Sequence, residues 1–259
     1  MSAPRSASTP SPAPELRARF EAAGGKPAYV QRMFGRIARV YDLMNRLMTA
    51  GLDRRWRDAT ARRVALGPGG RGLDIGTGTG DLAIALARVS TPDAHVIGVD
   101  FTPEMLALGR EKLHRLGLAD RVELRQGDGE RLAFDDDSFD ACCSAFVVRN
   151  MANLRQGFAE MLRVTKPGGR VACLEMSHPP SPVFGAAFHL YFDRVVPLLG
   201  RLIGRAFDAY SYLPTSVSSF PDAPHLKRIM EEAGWRDVTY DYRAGGVVAI
   251  HVGVKPLTD

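Results

Sequence analysis

Leu73-Asp74-Ile75-Gly76-Thr77-Gly78-Thr79-Gly80-Asp81 decides the fold of this 259-residue chain. Before it, Arg71 to Ile75 reads as a short buried strand. After it, Leu82, Ala85, Leu86 and Val89 recur at helical spacing, so a helix opens where the loop ends. The glycines permit a tight turn and let a ligand come close to the backbone. Strand, glycine loop and helix make the first unit of a nucleotide-binding α/β sheet.

The spacing also bears on which ligand. A dinucleotide fingerprint runs G-x-G-x-x-G and sets a pyrophosphate on the helix N-terminus. Here the glycines fall as G-x-G-x-G, and Asp81 fills the slot of the last fingerprint glycine. A carboxylate there repels a pyrophosphate and favours a ligand carrying an ammonium or sulfonium group. Twenty residues past Gly80, a second strand, His95 to Val99, ends in Asp100. An acid at that strand end accepts hydrogen bonds from the ribose hydroxyls of an adenosine. Adenosine plus positive charge without phosphate describes S-adenosylmethionine. A plain glycine turn with a solvated Asp81 is the alternative, and it leaves the position of Asp100 without a purpose.

The bulk properties fit a globular enzyme: 45% apolar and 24% charged residues are ordinary values. Cys142, Cys143 and Cys173 form no C-x-x-C pair, which points to reduced thiols in a cytoplasmic compartment and to no metal site. No apolar run reaches the ~20 residues of a membrane span, and no apolar stretch near the N-terminus reads as a secretory signal. The net charge of +5 is unevenly placed: residues 1–63 hold 13 Lys/Arg against 5 Asp/Glu, and the remainder is slightly acidic. Such a basic segment faces nucleic acid, an anionic membrane or only water.

Along the chain, residues 1–13 are Ser/Pro/Ala-rich, and residues 1–27 are expected to form a poorly ordered tail. Residues 28–70 are expected to form a basic helical lid, with Val30, Met33, Phe34, Ile37, Tyr41, Met44 and Met48 at helical spacing and Gly35 dividing two helices. From 71 to 259 strands and helices alternate. Asp128-Gly129 follows the third strand, Arg121 to Arg125. Arg149-Asn150 follows the fourth, Phe139 to Val147. Prolines between 178 and 220 mark a helical insertion. Ala244-Gly245-Gly246 joins a closing hairpin. Asp128, at a strand's carboxyl end, can bond an adenine amino group or merely cap a turn.

Several stretches together resemble the C-methyltransferases of ubiquinone and menaquinone biosynthesis, the demethylmenaquinone methyltransferase-like family. They are FGRIARVYDLMNRLMTAGLDRRW from Phe34, LDIGTGTGD, VDFTPEML, FVVRN, RVTKPGG, LEMSHP, YLPTSVSSFP and GGVVAIHVGVKP. The resemblance implies a class I S-adenosylmethionine-dependent methyltransferase fold, Rossmann-like and seven-stranded with an antiparallel last strand. It implies S-adenosylmethionine as co-substrate and methylation of a polyprenyl quinol ring carbon, demethylmenaquinol before a benzoquinol. The cofactor positions carry over to Thr79, Asp100 and the Asp128-Gly129 pair, and join Gly76, Gly78 and Gly80, which the loop itself marks as cofactor-binding. The catalytic neighbourhood carries over to Arg149 and Asn150, with Tyr41 and Asp42 as second-rank residues of the substrate pocket. The family often has histidine where this chain has Asp53, and serine where it has Ala145; Ser144 is expected to take over the second contact.

An arginine stays protonated, so Arg149 is expected to stabilise a phenolate rather than act as a base, with Asn150 orienting it. A polyprenyl substrate implies peripheral contact between residues 28–63 and the anionic inner face of a membrane. Nucleic-acid methylation lacks support, because Val147-Val148-Arg149-Asn150 is not the N/D-P-P-Y/F sequence of amino-methylating enzymes and neither Cys142 nor Cys143 follows a proline. A non-catalytic S-adenosylmethionine-binding module, or a methyltransferase for another phenolic or lipid substrate, is the remaining alternative.

Overall fold

Short apolar runs separated by amphipathic helices force parallel pairing, because each return to the same sheet edge needs a crossover. The computed structural model describes residues 14–181, Tyr212 and residues 216–257. It contains strands β1 Arg71–Ile75, β2 His95–Asp100, β3 Val122–Gln126, β4 Phe139–Ala145 and β5 Thr165–Met176, all parallel. Strand β7, Val248–Val254, runs antiparallel to both β5 and β6, Arg236–Arg243. The order is β3-β2-β1-β4-β5-β7-β6. It reverses direction at β1 and β4, and ligands bind outside the carboxyl ends of the strands at such a point.

Helices α1 Pro14–Ala23, α2 Lys26–Met48 and α3 Leu52–Arg63 precede the sheet. Then come α4 Asp81–Val89, α5 Pro103–Leu116, α6 Leu154–Val164 and α7 Ala223–Glu232. One face of the sheet packs against Trp56, Leu82, Leu86 and Leu106 of α3 to α5. The other packs against Phe158, Met161, Leu226, Met230 and Trp235. The fully buried Trp235 donates from Nε1 to the Phe158 carbonyl at 3.1 Å, which satisfies its one polar atom.

Three expectations change. The tail expected over 1–27 gives way to a helix at Pro14–Ala23, because Phe20 finds the rings of Tyr29 and Tyr212 to pack against. Gly35 does not divide α2, which runs unbroken. A Cβ there would sit 3.1 Å from the Glu104 carboxylate of α5, so the glycine marks a close contact between helices. Strand β4 stops at Ala145 rather than Val147 because Phe146 turns into the left-handed region at φ 61°. Strand β5 begins at Thr165, and its pairing with β4 skips from Thr165 to Arg170, so Lys166–Gly169 bulges out of the ladder. The insertion expected over 178–220 lies largely outside the described residues.

Candidate active site

The glycine loop, the end of β2 and the turn after β3 meet at the carboxyl edge of the sheet. Gly76 adopts φ 64°, and a Cβ there would collide with the Val147 isopropyl group, so only glycine fits. Asp100 Oδ2 accepts the Gly78 N–H at 2.9 Å, and Oδ1 accepts the Thr102 N–H at 2.8 Å. Burial pushes its carboxyl above the usual range, against the pull of those two donors. A carboxylate has about four acceptor sites, which leaves room for two hydroxyl donors. At Gly129 a Cβ would meet Ile75 Cγ2 at 2.7 Å, so the backbone passes close to the end of β1. The residues therefore fit an adenosine-bearing ligand: an acceptor-only pole, a glycine cradle and no cation among the loop residues to hold a phosphate.

Two side chains of this region are engaged elsewhere. Thr79 Oγ1 donates to Asp42 Oδ1 at 2.7 Å and accepts from Lys112 Nζ at 2.8 Å. Asp81, expected to attract a cationic ligand, instead pairs with Lys112 at 2.8 Å, and Lys112 also holds Asp42 at 2.6 Å. Burial raises the Asp81 carboxyl, but Lys112 and Arg57 outweigh it and hold the group below its ordinary value. Asp42 is thereby spent on the glycine loop, not on the substrate pocket. Asp128 is exposed, and its Oδ1 accepts the Glu130 N–H at 2.9 Å as a turn cap.

Arg149 and Asn150 stand on a 3-10 turn, Val148–Asn150, just beyond β4. The Arg149 guanidinium is 7% exposed and pairs through Nη1 with Oε1 of Glu175, fully buried on β5, at 2.6 Å. Glu175 also accepts the backbone N–H groups of Arg149, at 3.3 Å, and Met176, at 2.8 Å. Arg149 Nε is buried without a hydrogen-bond partner among the described residues. Asn150 Oδ1 accepts from the Tyr212 hydroxyl at 3.2 Å, and burial pushes that phenol up to about 12, so it remains a donor. Lys26, at the start of α2, donates to the carbonyls of Arg149 and Met151 at 3.1 and 2.6 Å. Burial brings its ammonium down to about 8, with Arg149 adding to the fall and Glu130 opposing it.

Helix α2 crosses this edge of the sheet. Lys26 fixes it to the Arg149 turn, Gln31 donates to the Phe101 carbonyl at 2.6 Å, and Asp42 fixes it to Thr79. Its apolar stripe serves two purposes. Val30 and Met44 belong to a core shared with Tyr212 and Val217, while Phe34, Tyr41 and Met48 line a cavity of ≈ 410 Å³. Arg149 and Asn150 reach the same cavity. Arg149 and Asn150, with Tyr41 from the second rank, thus line one cavity, whereas Asp42 does not. Phe146 also lines it, and the next residue, Val147, rests on Gly76, so one loop separates the cavity from the glycine cradle. A bulky residue at positive φ is uncommon and costs backbone energy. Here the Arg57 guanidinium holds the Phe146 ring from 5.3 Å.

Ser144 does not replace a side chain at Ala145. Successive strand residues face opposite sides of the sheet, and Cys143 and Ala145 pack on one side with Cys142 on the other. Ser144 shares the Cys142 side. His251 is structural: burial lowers its imidazole to about 4, and its Nε2 lies 2.9 Å from the Ala223 carbonyl behind the sheet. The residues that sequence reasoning missed are Glu175, Lys26 and Lys112. Glu175 sat within a quoted stretch, yet only the β4–β5 pairing brings it to Arg149.

Residues 23–255 match the ubiE/COQ5 methyltransferase family. A demethylmenaquinone methyltransferase of Roseiflexus castenholzii is 47% identical over 230 residues, covering 89% of this chain and 94% of that protein. A ubiquinone/menaquinone biosynthesis C-methyltransferase UbiE of Geobacter sp. strain M21 is 42% identical, covering 87% and 96%. Among solved structures, the [4+2]-cyclase SpnF superposes with a TM-score of 0.67 at 17% identity, covering 89% of this chain and 96% of that one. At that identity the likeness speaks to the fold alone.

Proposed function

We propose that this chain, which belongs to the ubiE/COQ5 methyltransferase family and takes its methyl group from S-adenosylmethionine, methylates a ring carbon of demethylmenaquinol. The single observation that carries the substrate reading is the cavity: apolar over most of its wall, yet reached by the buried, incompletely paired Arg149 guanidinium. An aromatic ring with one ionisable oxygen fits both features. A polyprenyl benzoquinol of the ubiquinone route fits the same wall and is the second reading.

S-adenosylmethionine supplies an already activated methyl group. The protein has to raise electron density at the acceptor carbon and hold that carbon in line. Arg149, fixed by Glu175, places positive charge where a phenolate oxygen develops, and loss of that phenol proton makes the adjacent ring carbon nucleophilic. The carbon–methyl bond forms as the sulfur–methyl bond breaks; that carbon then releases its own hydrogen as a proton, the ring regains aromaticity and the phenolate oxygen recovers a proton from water, so one proton is released in all. Asn150, oriented by Tyr212, and Tyr41, packed on Phe34 at 5.6 Å, frame the ring. Asp100, the glycine loop, Thr79 through its backbone, and Asp128-Gly129 hold the adenosine end.

The substrate's tail calls for a lipid surface, and the cavity mouth offers one. Leu43, Leu47 and Leu52 are 52%, 50% and 38% exposed, and Leu47 and Leu52 line the cavity. Arg39, Arg46, Arg54 and Arg55 are exposed on the same two helices. Near an anionic leaflet each such cation adds about 1 kcal/mol. Among the described residues no helix is long and apolar enough to cross a membrane, so the contact we propose is peripheral, at the cytoplasmic face. Paired Leu47→Glu and Arg54→Glu changes should abolish co-sedimentation with vesicles containing anionic lipid. Binding indifferent to salt and lipid charge would count against it.

The test of function is transfer of labelled methyl from S-adenosylmethionine to chemically reduced demethylmenaquinone in detergent, with a short-chain benzoquinol in parallel. Product from the naphthoquinol is expected. Product from neither, with cofactor binding intact, would remove the substrate assignment.

A further inference from the structure

The cavity wall contains a buried carboxylate that methyl transfer as derived above leaves unused. Asp53 stands in the first turn of α3, is 2% exposed, and lines the cavity. Among the described residues its hydrogen bonding is incomplete. The Thr49 hydroxyl lies 3.1 Å from Asp53 Oδ1 but 2.7 Å from the Asn45 carbonyl, and it has one proton to give. The Arg57 Nε is 3.9 Å from Oδ2, beyond hydrogen-bond reach, and has no other partner among the described residues. The Arg57 guanidinium lies over Phe146 instead. A buried carboxylate is costly unless its acceptor sites, about four in number, are filled.

The cavity therefore has two poles of opposite character, carried by different elements. Arg149, on the turn after β4, can only donate hydrogen bonds. Asp53, on α3, can only accept them. Met33, Ile37, Trp56 and Val247 supply apolar wall. A ligand that satisfies both poles needs an acceptor at one place and an O–H donor at another. A hydroquinone that has lost one proton has both: a phenolate oxygen for Arg149 and a remaining hydroxyl for Asp53. The oxidised quinone has two carbonyls, and one of them would face the carboxylate with no proton between.

We propose that Asp53 is a specificity-determining residue that selects the reduced quinol over the oxidised quinone by accepting a hydrogen bond from the hydroxyl remote from Arg149. This rests on the quinol reading above and adds the redox state of the substrate as the property recognised. A site built to bond a substrate hydroxyl rejects an analogue lacking it, because the buried polar group is left unpaired.

The test is a binding measurement without turnover. A short-chain demethylmenaquinone, oxidised or dithionite-reduced under anaerobic conditions, is titrated calorimetrically into the full chain with S-adenosylhomocysteine present. The wild type should prefer the reduced form by about tenfold or more. Asp53→Asn, whose amide can donate to a carbonyl, should narrow that ratio by about tenfold, with weaker quinol binding and tighter quinone binding. Asp53→Leu should narrow it through quinol loss alone. A folding defect would weaken both forms together and leave the ratio unchanged, and melting curves identify such a variant. A folded Asp53→Asn protein with the wild-type ratio, or a wild type that binds both forms equally, would overturn the proposal. The labelled-methyl assay separates the layers: methylation of the quinol with an unchanged ratio sinks the role of Asp53 alone, whereas methylation of neither quinol sinks the substrate reading and this proposal with it.

Discussion

Cutting the Arg149–Glu175 pair should separate stability from catalysis. The two side chains are 7% and 0% exposed and meet at 2.6 Å, so water screens the pair little. Removing one partner of a buried pair costs about 3–5 kcal/mol because the other charge stays behind. Glu175 also accepts the N–H groups of Arg149 and Met176, and each donor left unsatisfied adds about 1–3 kcal/mol, less whatever entering water restores. Glu175→Ala should therefore lose at least about 4 kcal/mol, a large share of the roughly 5–15 kcal/mol that holds a typical domain. Glu175→Gln keeps one acceptor oxygen and should lose about 3 kcal/mol. The informative variant is the double change Arg149→Met with Glu175→Met. Well-packed apolar replacement of a buried pair is often neutral, so the loss left in this protein is that of the two backbone N–H groups Glu175 served, about 2 kcal/mol or more, well short of the Glu175→Ala loss, and it should turn over no quinol. Urea unfolding at constant m-value gives the first quantity, and labelled methyl transfer at saturating substrates gives the second. A single variant that loses less than about 1 kcal/mol and keeps full turnover would refute the reasoning. So would a double variant as active as wild type.

Other expectations follow from the same contacts. Lys112→Ala leaves Asp42 and Asp81 facing the glycine loop without their shared cation. It should release α2 from Thr79 and weaken S-adenosylhomocysteine binding by about 2 kcal/mol, roughly thirtyfold; unchanged affinity by calorimetry would contradict the strap. Asp74 titrates near neutrality, since burial pushes its carboxyl up to about 7 against bonds from Thr77, at 2.7 Å, and Ala83, at 3.0 Å. Between its unfolded value and about 7 the folded chain binds the extra proton, so Asp74 makes the protein less stable as pH rises through that window. Asp74→Asn should flatten that slope, and unfolding curves collected from pH 4 to pH 8 check it.

Much of the α/β framework was legible because it rests on local rules. The switch from apolar runs to three-and-four spacing marks β1 to α5, and the proline and glycine at the ends of α5 mark its bounds. Asp100 was readable because the end of a strand fixes where its side chain stands. Most of the misreadings concern long-range partners; the early end of β4 at Phe146 is the local exception. Gly35 looks like a helix break until Glu104 of α5 is laid against it. Asp81 looks free until Lys112, 31 residues on, reaches it. The tail around Phe20 looks unsupported until Tyr29 and Tyr212 meet it. Glu175 reads as an ordinary strand residue until β5 pairs with β4 and sets it against Arg149. Nothing local in the sequence encodes these contacts.

The most direct test of the central claim is a crystal structure of the protein with S-adenosylhomocysteine and a short-chain demethylmenaquinol held anaerobically. The ring should lie inside the cavity between Tyr41 and the Arg149 turn. One oxygen should lie within hydrogen-bond distance of the Arg149 guanidinium, and the chain should leave past Leu47 and Leu52. A ring bound elsewhere, or an Arg149 still turned wholly to Glu175 with no substrate oxygen beside it, would contradict the account.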